Sequence, residues 1–225
     1  MTSRTKAKRV KLIEVVGKKV LNEKGFLRLW KVKLRNRYAD GSSSREYHCD
    51  MVHRKGTDSV AIIPYFFNKK GDLNIYLNRG IRPAIYFRKI LRTTVPDRIE
   101  NLYNYEAMAG SIEEDDKGGK DLIARAREEI IEELGYRAKR NQFEKLGAGF
   151  YPSHGQSSEK IHLLALLVRP EERMEACGDG SVNEGDSLIV VLEAKKILRM
   201  CEKGMIEDPK IEIGVSRLCK KLRYS

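Results

Sequence analysis

The chain has 225 residues, and its 44 Lys or Arg against 32 Asp or Glu give a formal charge of +12. With 41% hydrophobic and 34% charged residues it can bury a core, which excludes wholesale disorder. It contains no run of about 18 to 20 apolar residues and starts with a polar, basic stretch, which predicts a cytoplasmic protein without a membrane span. The charge favours an anionic partner and leaves open nucleic acid, acidic lipid, a small phosphorylated molecule or a solvated basic surface.

Alternating apolar residues predict strands at 10–16, 26–34 and 45–53, with a turn at 39–44. We therefore expect an antiparallel β domain over residues 1–56 and a second domain over residues 57–225.

The second domain is predicted to mix strands and helices, which is the α/β class. The region 86–104 has weak periodicity, 111–119 is an acidic loop, and 171–186 is expected to be a mobile loop. Gly135 suits the left-handed position just past a helix end. The predicted strands are 59–67, 73–77, 143–150, 161–168 and 188–192, and the predicted helices are 120–134, 193–203 and 209–222.

The four cysteines lie far apart and form no C-x-x-C pair, so neither a zinc site nor a disulfide framework is expected. We interpret them as ordinary thiols. They are Cys49, Cys177, Cys201 and Cys219.

The predicted helix 120–134 carries four carboxylates in its last two turns, where the helix dipole is negative and like charges repel. A bound divalent cation would compensate for this cluster, because hard cations take oxygen ligands. A solvated acidic face, tempered by neighbouring arginines, is an equal alternative. The carboxylates are Glu128, Glu129, Glu132 and Glu133, and the predicted core face is Leu122, Ile123, Ala126, Ile130 and Leu134.

The segment Glu129-Ile-Ile-Glu-Glu-Leu-Gly-Tyr resembles the second half of the Nudix box, G-x5-E-x7-R-E-U-x-E-E-x-G-U, where U is apolar. The first half departs from this pattern. The consensus Arg is Glu128 here, with Arg127 one place back as a stand-in, and the upstream Glu is Lys120. The loop after Gly110 is also longer than in the consensus.

Four further segments are similar to ADP-ribose pyrophosphatases and their nucleotide-sugar relatives. These are Arg79-Gly-Ile-Arg-Pro-Ala, Glu106-Ala-Met-Ala-Gly, the loop from Tyr151 to Glu159, and the segment from Lys203 to Gly214. The resemblance implies a Nudix α/β/α sandwich preceded by a small N-terminal antiparallel β domain used in homodimerisation.

The resemblance also implies a reaction, the hydrolysis of a nucleoside diphosphate sugar such as ADP-ribose, with Mg²⁺ or alternatively Mn²⁺. It implies metal ligands at Glu129, Glu133 and the Ala109 carbonyl, with Glu113 secondary. Glu159 would activate or orient water, Glu132 would be a further ligand or catalytic group, and Arg79, Arg82 and Glu106 would bind substrate. The alternative is a weak or inactive Nudix protein that binds nucleotide or nucleic acid, favoured by Glu128, Lys120 and the positive charge.

Overall fold

A computed structural model describes residues 8–97, 102–112, 122–176, 178 and 187–224. The backbone forms two units, one of Met1–Thr57 with Tyr151–Glu159 and one of Asp58–Phe150 with Lys160–Ser225. Glu113, Lys120 and most of the predicted loop 171–186 lie outside the described residues, so the structure does not bear on them.

The first unit contains the predicted antiparallel sheet, in the order β1-β2-β3. Val32 of β2 is buried, whereas most other residues of these strands are half-buried or exposed. The turn before β3 places Gly41 at φ 84°, a conformation that glycine adopts without steric cost. The strands are β1 Val10–Leu21, β2 Arg28–Tyr38 and β3 Tyr47–His53.

The second unit contains a seven-stranded mixed sheet in which β4 and β9 are parallel and the other described pairs are antiparallel. The order is β10-β5-β4-β9-β8, with β6 on β5 and β7 on β4. The strands are β4 Ser59–Phe67, β5 Leu73–Ile81, β6 Tyr103–Glu106, β7 Met108–Ser111, β8 Phe143–Lys145, β9 Ile161–Leu167 and β10 Leu188–Glu193. The α-helices are α1 Pro83–Tyr86, α2 Leu122–Leu134, α3 Ala194–Glu202 and α4 Pro209–Leu222. Short 3-10 helices lie at Phe87–Ile90, Arg140–Gln142 and Pro170–Glu172.

Helices cover both faces of this sheet, as the alternation along β4 shows. Ala61 and Ile63 face a core that contains α3 and α4, whereas Val60 and Ile62 face a core that contains α2. Gly214 lets α4 lie close to the sheet, because an added Cβ there would come within 2.7 Å of Ile63 Cδ1. The α/β class and the N-terminal antiparallel sheet are confirmed. Within the described part of the chain, no helix is both long and apolar enough to cross a bilayer.

The strands β6 and β7, which the sequence did not predict, fill a gap between β4 and β5. β4 and β5 pair with each other only along Tyr65–Phe67 and Leu73–Ile75. Beyond that point β6 pairs with the end of β5, and β7 pairs with the start of β4. The chain therefore changes partner at Ala107, between two residues singled out by the sequence, Glu106 and Ala109.

Candidate active site

The helix α2 presents its predicted core face to the sheet, with Ala126, Ile130 and Leu134 fully buried. It ends as predicted at Gly135, whose φ is 66°. The sequence placed Glu129 at the side of this face. In the structure Glu129 is only 3% exposed, so its carboxylate is one of the few buried charges among the described residues.

The carboxylate of Glu129 packs directly against the main chain of Gly110 in β7. A Cβ added to Gly110 would lie 2.6 Å from Glu129 Cγ and closer still to the carboxylate. Ordinary carbon contacts are about 3.5 to 4.0 Å, so only glycine leaves room for Glu129 in this position. Because Gly110 follows Ala109 in β7, this contact places the Glu129 carboxylate one residue from the Ala109 carbonyl, the predicted main-chain ligand.

Arg125 supplies the counter-charge of Glu129, one helical turn earlier on α2, and also bonds Glu128 at 3.2 Å. Burial lowers the pKa of Arg125, but the charge of Glu129 and the hydrogen bond to Glu128 outweigh burial and raise its pKa above the ordinary value. Arg127, the stand-in offered by the sequence, instead donates from Nε to the Ala138 carbonyl at 3.0 Å. The i,i+4 spacing of Arg125 and Glu129 is the sequence signal for this pair.

The other acidic residues of α2 are less buried than Glu129. Glu133 follows one turn later and is half-buried, with its Oε2 shielded from solvent. Glu132 is also half-buried, and its main-chain carbonyl accepts a hydrogen bond from Gly178 at 2.9 Å.

Two carboxylates one turn apart, next to a strand that carries a candidate carbonyl ligand, are an all-oxygen donor set of the kind that Mg²⁺ takes together with water. In the described ranges, no group of three or more His, Cys, Asp or Glu is arranged to hold a metal ion. Glu129, Glu133 and the Ala109 carbonyl are oxygen donors of the type that such a cation takes, and their convergence on one ion stays a prediction.

A cavity of about 430 Å³ in the second unit is lined by three of the predicted residues, Arg82, Glu106 and Ala109. Apolar side chains, among them Ile85, and the first turn of α4 complete its wall. Glu106 is largely buried and holds the exposed guanidinium of Arg82, with Nε at 2.7 Å from Oε1 and Nη2 at 2.6 Å from Oε2. This bidentate pair fixes the plane of the guanidinium at the cavity wall.

Arg79, the other predicted substrate residue, lies on β5 between two tyrosines of β6. Its guanidinium carbon is 5.7 Å from the Tyr103 ring centre and 5.4 Å from that of Tyr105, so both rings stabilise its charge. Its Nε is shielded from solvent and has no hydrogen-bond partner among the described residues. Arg79 does not line the cavity that contains Arg82.

Glu159 belongs to the first unit, where Arg54 holds it. The Arg54 side chain is 9% exposed, and its Nη2 lies 3.3 Å from Glu159 Oε1. Within the same unit, Val52 donates its N–H to the Gln156 carbonyl at 2.8 Å. Arg54 was not predicted, and nothing local in the sequence indicates the pair. The approach of Glu159 to the α2 carboxylates stays a prediction.

Comparison with known proteins adds a likeness of fold. No protein-family model matches this chain, and no curated protein matches it. A solved structure described as that of an ADP compounds hydrolase is similar over 96% of this chain and 97% of its own, with a TM-score of 0.65 and 15% identity. At this identity the likeness shows a shared fold.

Proposed function

We propose that this chain is a Mg²⁺-dependent Nudix-type hydrolase of nucleoside diphosphate sugars, with ADP-ribose as the first substrate to test. The observation that carries the proposal is the cavity that Arg82, Glu106 and Ala109 line together, one residue along β7 from the contact of Gly110 with Glu129. The shared fold with an ADP compounds hydrolase supports it. The formal charge of +12 favours the approach of a diphosphate.

In this proposal Arg82 binds the diphosphate. Its planar guanidinium, oriented by Glu106, has the geometry that suits phosphate oxygens. Glu129, Glu133 and the Ala109 carbonyl would hold the cation, and the cation would supply charge stabilisation at the phosphate oxygens and a more acidic water. Arg125 is a positioning residue, because its ion pair fixes the buried Glu129 carboxylate.

Glu159 orients the attacking water, and its ion pair with Arg54 holds its carboxylate in place. The water oxygen bonds to one phosphorus, the anhydride P–O bond breaks, and the products are a nucleoside monophosphate and a sugar phosphate. Arg79, between the two tyrosines of β6, contributes positive charge and does not line the cavity.

We also propose a homodimer formed through the first unit. β1 exposes large apolar side chains: Ile13 (54% accessible) and Val15 (60%) form a row on one face of the strand, and Leu12 (60%) lies on the other. Contiguous exposed apolar residues of this kind mark protein interaction surfaces. A second copy of the chain is the partner that the resemblance to dimeric pyrophosphatases favours.

A substrate panel tests the proposed activity. Purified protein with Mg²⁺ is incubated with ADP-ribose, ADP-glucose, UDP-glucose and GDP-mannose, and nucleoside monophosphate release is measured by chromatography. Turnover of at least one compound, lost on removal of Mg²⁺ with a chelator, is expected. Inertness across the panel would refute the proposal.

A second candidate function is binding of nucleotide or nucleic acid without turnover. The pairing of Arg125 with Glu129 favours it, because a protein cation already balances the charge that the metal would balance. This function predicts steeply salt-dependent binding to RNA or DNA and no product from the panel.

A further inference from the structure

The break between β6 and β7 leaves a main-chain N–H without a strand partner. Ala107 lies between the last residue paired with β5, Glu106, and the first residue paired with β4, Met108. Ala107 is 3% exposed, and an unsatisfied N–H at such a site costs about 1 to 3 kcal/mol. Its N–H donates to Oδ2 of Asp208 at 3.0 Å, from a residue 101 positions away.

The other oxygen of Asp208 caps α4. Oδ1 accepts the N–H of Lys210 at 2.9 Å and pairs with its Nζ at 3.0 Å. Pro209 occupies the first helical position, where its missing N–H costs nothing. The Asp208 side chain is 7% exposed, so one buried carboxylate joins the start of α4 to the point where β6 becomes β7.

Resting on the proposed function, we infer that Asp208 is a positioning residue of the cavity. Its bond to Ala107 sets the course of the main chain between the Glu106 side chain and the Ala109 carbonyl. Both of these residues line the cavity, as do Asp208 itself and the first turn of α4. Asp208 thus determines how the ion pair of Glu106 with Arg82 and the proposed Ala109 carbonyl ligand are arranged relative to each other. This assigns a role to a residue of the segment from Lys203 to Gly214.

Replacing Asp208 by serine tests its two hydrogen bonds, to Ala107 and to Lys210, independently of each other. Asp208→Ser keeps a hydroxyl that caps α4, because serine is a good N-cap, but is too short to reach Ala107. Asp208→Ala loses both bonds. Leu218→Ala is the control, since Leu218 is buried in α4 among core side chains and does not line the cavity, so the substitution destabilises the helix and leaves the cavity unchanged.

The experiment measures hydrogen exchange at the amides of Ala107 and of Met108, the first β7 residue paired with β4. It also measures kcat/KM for ADP-ribose and the Mg²⁺ concentration for half-maximal rate, all at a temperature where every variant is folded. Asp208→Ser is expected to lose protection at Ala107, to lower kcat/KM about 10- to 100-fold and to need more Mg²⁺, because a misplacement near 1 Å has effects of this size. Leu218→Ala is expected to lower Tm while kcat/KM stays within about twofold.

The inference is overturned if Asp208→Ser keeps wild-type protection at Ala107, or if its kcat/KM stays within twofold of wild type. If the wild-type protein turns over nothing in the panel, the proposed function fails on its own. Exchange at Ala107 and Met108 then decides the inference alone: loss of protection at both supports it, and wild-type protection at either one refutes it.

Discussion

Gly110→Ala is the substitution whose consequence follows most directly from the geometry. The new Cβ would lie 2.6 Å from Glu129 Cγ, about 1 Å inside the shortest ordinary carbon contact. The Glu129 side chain is flexible while the β7 main chain is paired with β4, so the carboxylate moves. Overpacking of this kind costs about 1 to 3 kcal/mol, which leaves the protein folded.

A displacement near 1 Å at a metal ligand lowers kcat by about 100-fold. The assay compares kcat for ADP-ribose and the Mg²⁺ dependence of the rate between wild type and Gly110→Ala, with circular dichroism to verify folding. Gly17→Ala is the matched control, because a Cβ at Gly17 meets Lys33 Cβ only at 3.9 Å. A folded Gly110→Ala protein with wild-type kcat would refute the role of Glu129.

Three further substitutions or treatments test other parts of the account. Arg125→Met removes the guanidinium that pairs with the buried Glu129 carboxylate, so it is expected to destabilise the fold by about 3 kcal/mol and to lower Tm. An unchanged Tm would contradict a stabilising role for this ion pair. Val15→Glu introduces a charge into the exposed apolar row of β1 and is expected to convert a dimer to a monomer in size-exclusion chromatography, whereas a monomeric wild type would contradict the dimer proposal. Burial, followed by the nearby Glu212 charge, raises the pKa of Cys201 to about 11, so its alkylation is expected to be slow at pH 7.5 and to accelerate towards pH 11; fast labelling at pH 7.5 would contradict this environment.

The elements that repeat a local pattern could be predicted from the sequence. The antiparallel strands of the first unit, the buried strand β4 and the bounds of α4 agree with the structure because alternation and the Asp208-Pro209 start are local signals. The described cysteines, Cys49, Cys201 and Cys219, are free thiols as predicted. Gly135 ends α2 as expected.

The parts that depend on distant partners could not be predicted. β6 and β7 are four residues each and exist because they fill the gap between β4 and β5, so no periodicity reveals them. Arg54 and Glu159 are 105 residues apart. The burial of Glu129 depends on the absence of a side chain at Gly110, which lies on another element.

The central claim is that the carboxylates of α2 support metal-dependent hydrolysis, and Glu133→Gln tests it most directly. The rate of AMP release from ADP-ribose is measured against Mg²⁺ concentration for wild type, Glu133→Gln and Glu212→Gln, the last being the same chemical change at an exposed position of α4. Loss of most activity in Glu133→Gln alone, with all three proteins folded, is the expected result. Equal, Mg²⁺-dependent rates in wild type and Glu133→Gln would contradict the claim.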